Sequence, residues 1–105
     1  MPVIHQPRVA WDAARLVVDA VRDEDVFRWF SAAVGDLLGP TVEDALEVTR
    51  HRLLWAEHQA SIEAGRWRVR LEDALRDRPE VAGELHSLTV IAAGLLRTRS
   101  AAPAS

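Results

Sequence analysis

The chain has 105 residues, no cysteine, thirteen basic residues that are all arginine, and a formal net charge of −3. That length sets one domain, and 49% apolar with 28% charged content is the composition of a folded chain. The missing cysteine excludes a disulfide framework and a thiolate site, the missing lysine excludes Schiff-base chemistry, and the mild acidity argues against a dedicated nucleic-acid binder.

Residues Met1 to Arg8 hold no basic stretch followed by an apolar run, so no secretory signal is expected and the expected location is cytoplasmic. No window approaches the roughly 20 apolar residues of a membrane-spanning helix. Residues 1–7, with two prolines, are expected to be extended, residues 8–98 to form one helical domain, and residues 99–105 to be disordered.

Helical periodicity runs through the whole middle. A first helix is predicted from Arg8 to Arg22, with Ala10, Ala13, Ala14, Val17, Val18 and Val21 on one face and Asp12, Arg15, Asp19 and Arg22 on the other. Asp23-Glu24-Asp25 reads as the start of a second helix: an aspartate caps, and carboxylates suit the positive end of the helix dipole. Its stripe is Val26, Phe27, Phe30, Ala33, Val34, Leu37 and Leu38, and Gly39-Pro40 ends it. Thr41 reads as the cap of the third and longest helix, to Ala64, closed by Gly65.

That third helix has two apolar faces. Leu46, Thr49, Leu53 and Ala60 belong to one; Val48, Leu54, Trp55 and Ile62 lie opposite, with His51 and His58 among them. A helix apolar on two sides is normally buried on two sides. Residues 66 to 71 alternate Arg66, Arg68 and Arg70 with Trp67, Val69 and Leu71, a period of two. The helical reading is preferred, because Trp67, Leu71, Ala74 and Leu75 share one helical face and a lone strand has no partner. The fourth helix then ends near Asp77 or Arg78, and Pro79 opens a fifth, to Arg97. Its apolar face is Val81, Leu85, Leu88, Ala92, Leu95 and Leu96, opposite Gly83, Ser87, Val90 and Gly94. The expected fold class is all-α, a four- to five-helix bundle with short loops.

His51 and His58 are seven residues apart, about 10 Å along a helix axis, too far to share one ion. They read as partly buried or interface histidines, with a pH-sensitive contact as the sharper reading. Arg68 and Glu72 are set for an i, i+4 pair, and Asp73 for Arg70. Four tryptophans are many for this length; Trp67 fits the core, Trp11 and Trp29 flank their stripes and Trp55 lies on the second stripe, so that they read equally as interface anchors or as seals of the seams between helices. A helix-turn-helix reading of residues 31–52 fails because Glu43, Asp44 and Glu47 would face phosphates. No nucleotide, zinc or nucleophile-elbow signature is present, so no catalytic, cofactor or metal residue is assigned.

The stretch from Arg66 to Leu88 joins a tryptophan-containing turn, Leu71-x-x-Ala74-Leu75, and the acidic run Pro79-Glu80-x-Ala82-x-Glu84-Leu85. It resembles a helical segment of actinobacterial multidomain regulatory and conflict-system proteins. The resemblance implies a helical association module without catalysis.

The leading expectation is a small non-catalytic interaction or adaptor module that binds a protein partner, foremost a second copy in a homodimer. Val48, His51, Leu54, Trp55, His58 and Ile62 are its expected surface. The alternative is a small helical-bundle enzyme or biosynthetic accessory protein acting on an anionic metabolite, like the chorismate mutases in architecture. That chemistry needs arginines converging inside the bundle.

Overall fold

The computed structural model describes residues 5 to 101. Helix α1 spans Gln6–Asp19, α2 Glu24–Leu38, α3 Pro40–Trp55, α4 Ala60–Asp77 and α5 Ala82–Ala101. Single 3-10 turns at Glu57–Gln59 and Pro79–Val81 lead into α4 and α5. The fold is an all-α bundle with short connections, as the periodicity implies, and there is no strand among the described residues. Arg66 to Leu71 lie inside α4, so the alternating pattern there is helical.

The helices reach past the expected limits at both ends. Gln6 and Pro7 already belong to α1, because a proline in the first turn lacks only an N–H that has no helical acceptor. Residues 99 to 101, expected as tail, continue α5, whose last turn is held when Arg99 pairs with Asp23 and Asp25. Residues 1–4 and 102–105, the rest of the expected head and tail, lie outside the described residues.

The start of α2 is as predicted: the Asp23 carboxylate accepts from the Val26 N–H at 3.2 Å. The start of α3 is not. Its N-cap is Gly39, which is also the C-cap of α2, and Pro40 takes the first helical position in place of a Thr41 cap. One residue therefore joins two helices. Its φ of 111° and ψ of 163° suit glycine alone.

The largest correction concerns the third helix. It breaks at Ala56, where φ is −143° and ψ 62°, and residues 60 to 64 form the first turn and more of α4. Gly65 therefore sits inside α4 and closes nothing. No glycine or proline marks the break; long-range pairs impose it. The Arg52 guanidinium donates to Glu63 at 2.7 Å, and the Trp67 indole N–H donates to the Thr49 hydroxyl at 2.8 Å. In one continuous helix those partners would lie about 16 and 27 Å apart.

The helix packed against the most others is α1. Val9, Ala10, Ala13, Ala14, Leu16, Val17 and Ala20 are all buried, and α1 packs against α4 and α5 and touches α3. Its alanines allow close approach of α4. Phe27, Phe30 and Val34 of α2, Leu46 and Leu53 of α3, Trp67, Leu71 and Leu75 of α4, and Leu85 and Ala92 of α5 complete the core. None of the helices is long and apolar enough to cross a membrane among the described residues.

Candidate interaction surface

The site begins with the buried side of α3. Leu46, Thr49 and Leu53 point inward, so residues half a turn away point outward. At 100° per residue, Asp44, Val48, His51 and Trp55 form that outer stripe, and all four are exposed. Trp55 is 90% exposed, the highest value among the large apolar side chains of the described residues. Isolated exposed apolar residues are ordinary; a nearly bare tryptophan in line with an exposed valine is not.

Leu54 lies a quarter turn from the stripe and borders an open cleft of about 500 Å³ where α1 ends and α3 breaks. Val18, Val21, Leu53 and Ala60 contribute its apolar wall, and Asp19, Arg22, Glu57 and His58 its rim. Arg22 and Glu57 form an ion pair across that rim. The structure thus brings Val48, His51 and Trp55 together on α3, with Leu54 and His58 beside the cleft. It does not bring Ile62 into line: beyond the break, Ile62 is exposed on α4, on one helical stripe with Val69.

The surface is braced from beneath. The Glu63 side chain is only 2% exposed and accepts from both Arg52, at 2.7 Å, and Arg66, at 3.2 Å. The Arg50 Nε donates to the Val21 carbonyl at 3.2 Å, its guanidinium 5.9 Å from the Phe27 ring, and so satisfies backbone just past the end of α1. On the outer face His51 Nε2 lies 3.4 Å from Glu47.

Three other features sit away from this surface. Trp67 is core, as expected, while Trp11 and Trp29 are a little over a third exposed. Trp11 stands in the groove between α1 and α4 with the guanidinium groups of Arg15 and Arg68 about 6 Å from its ring. On α5, Leu95 is exposed together with Val90 and Ile91, and Thr89 takes an inward place, its hydroxyl donating to the Leu85 carbonyl. The expected Arg68–Glu72 pair is present at 3.9 Å, whereas Asp73 pairs with Arg76 and not Arg70, which lies over the Trp67 ring.

Sequence reasoning passed over Glu63. Its signal was a lone carboxylate four residues before Trp67, on the face that α4 buries. Arginines bordering the cleft and the α5 end are each tied to a carboxylate: Arg22 to Glu57, and Arg99 to Asp23 and Asp25. Among the described residues no cluster of three or more His, Asp or Glu could hold a metal. No family model, no curated protein and no solved structure matches the chain.

Proposed function

We propose that this chain is a cytoplasmic, non-catalytic protein–protein association module whose partner surface is the outer face of α3 with its adjoining cleft. The single observation that carries the reading is Trp55, almost wholly exposed on a braced helix end beside an apolar-walled opening. Tryptophan is among the residues most enriched at interface hot spots, where truncation costs about 2 kcal/mol or more. Val48 extends the apolar contact along the helix, Leu54 carries it into the cleft, and His51 and His58 supply a polar rim. An association role is also what the resemblance of residues 66 to 88 implies. The enzyme alternative finds less support, since Arg22 at the cleft and Arg99 at the end of α5 are each paired with a carboxylate.

A photoreactive phenylalanine analogue placed at position 48, beside Trp55 on the outer stripe of α3, and separately at position 90 on α5, tests the reading in cells. Adducts, whether with a second copy or another protein, are expected to concentrate at position 48. Equal adducts at both positions, or adducts at 90 alone, contradict it.

A further inference from the structure

We infer that the occupant of the α3 face is a second copy of this chain, docked with its α3 antiparallel to the first. The inference rests on the reading above and adds the partner and its register. The stripe of Asp44, Val48, His51 and Trp55 has Glu47 and Leu54 along one edge and Thr41 and Arg52 along the other. Two antiparallel helices related by a two-fold axis bring like edges together. Centred on residue 49, the pairing sets each Glu47 against the partner's His51, and each Asp44 against the partner's Leu54. The two Val48 side chains then adjoin at the axis, and each Trp55 covers the partner's first turn at Pro40, Thr41 and Asp44, all exposed.

Charge favours this arrangement. The outer face carries Asp44 and Glu47, while the nearest guanidinium groups are turned elsewhere, Arg52 to Glu63 and Arg50 to the Val21 carbonyl. The complement available to its carboxylates is therefore histidine, and the antiparallel register supplies it twice without opposing two acids. A parallel pairing would face Asp44 with Asp44 and His51 with His51. Two tryptophans each bury about 150–250 Å², a substantial start on the roughly 1,200 Å² at the low end for a specific interface.

Sedimentation equilibrium reads the assembly directly. Wild type is expected to dimerise with rising concentration. His51→Glu opposes Glu47 with glutamate, and Glu47→Arg opposes His51 with arginine; each is expected to raise the dissociation constant about tenfold or more. An equimolar mixture of the two variants restores the dimer, because the arginine introduced at position 47 of one meets the glutamate introduced at position 51 of the other. Both positions are exposed, and circular dichroism of each variant confirms that the fold is kept. A wild type that stays monomeric at every concentration overturns the inference while leaving a different partner for Trp55. A mixture that stays monomeric when Trp55→Ser still breaks the dimer overturns the antiparallel register and keeps the face. A dimer broken by Ile91→Glu but not by His51→Glu overturns both the inference and the surface.

Discussion

At the corner between α3 and α4, the Glu63 carboxylate is nearly sealed from solvent yet answered by two half-exposed arginines. A buried charge is costly unless paired, so each partner matters more than its exposure suggests. Arg52→Ala should lower stability by about 1.5–3 kcal/mol, the range for a hydrogen bond to a charged group, as read by urea unfolding. Thr49 and Trp67 tie the same two helices together with neutral groups. Trp67→Phe leaves the Thr49 hydroxyl buried and unpaired and should cost about 1–3 kcal/mol. In the Thr49→Val background the same substitution should cost measurably less, and a double-mutant cycle checks it. At this scale the sequence was partly readable: Trp67 announced itself as core by periodicity, but a buried glutamate looks like any surface glutamate until its arginines are in place.

At the scale of elements, three glycines make opposite predictions from one substitution. Gly39→Ala puts a side chain at a φ of 111° with open space around it, so the cost is backbone strain alone, about 1–3 kcal/mol. Gly35→Ala meets Glu43: an added Cβ would sit 2.9 Å from the Glu43 Cβ, which cannot swing away as a side-chain tip does. That clash should outweigh the gain of about 1 kcal/mol in helix propensity, and Glu43→Gly should relieve it. Gly65→Ala meets nothing within 4 Å and should stabilise by up to about 1 kcal/mol. Thermal unfolding of the three variants ranks them. The ends of α2 were legible because Asp23 caps and Gly39-Pro40 stops by local chemistry. The break at Ala56 was not, because no local residue causes it: Arg52–Glu63 and Thr49–Trp67 do, across 11 and 18 positions. With the break unread, Ile62 joined a stripe to which it does not belong.

Across the whole molecule, α1 takes the central place that its row of alanines permits, and α5 is tied back to the start of α2 through Arg99. Asp23 reports on that tie. Partial burial by itself raises a carboxyl, but the Val26 N–H and the Arg99 charge outweigh it and hold Asp23 below its ordinary value of about 3.8. Asp23 in turn raises Arg99 above the usual arginine range. A carboxylate depressed in the folded state contributes its stability in full above the unfolded value and loses it as pH falls through the lower folded one. Asp23→Asn should therefore be less stable than wild type at neutral pH, and the gap should close below about pH 4. Urea unfolding across that range checks the sign. The all-α bundle was legible at this scale because every helix carries a stripe. Which helix is central, and which faces stay open, depends on how the stripes divide among neighbours.

The open face of α3 is the centre of the account, and the indole N–H resonances of the four tryptophans test it in one experiment. Each is assigned by a single tryptophan substitution, and nitrogen-15 correlation spectra are then recorded over a dilution series. The Trp55 resonance is expected to shift with concentration while those of Trp11, Trp29 and Trp67 hold still. Concentration-dependent shifts at Trp11 or Trp29 with Trp55 unmoved would contradict the account.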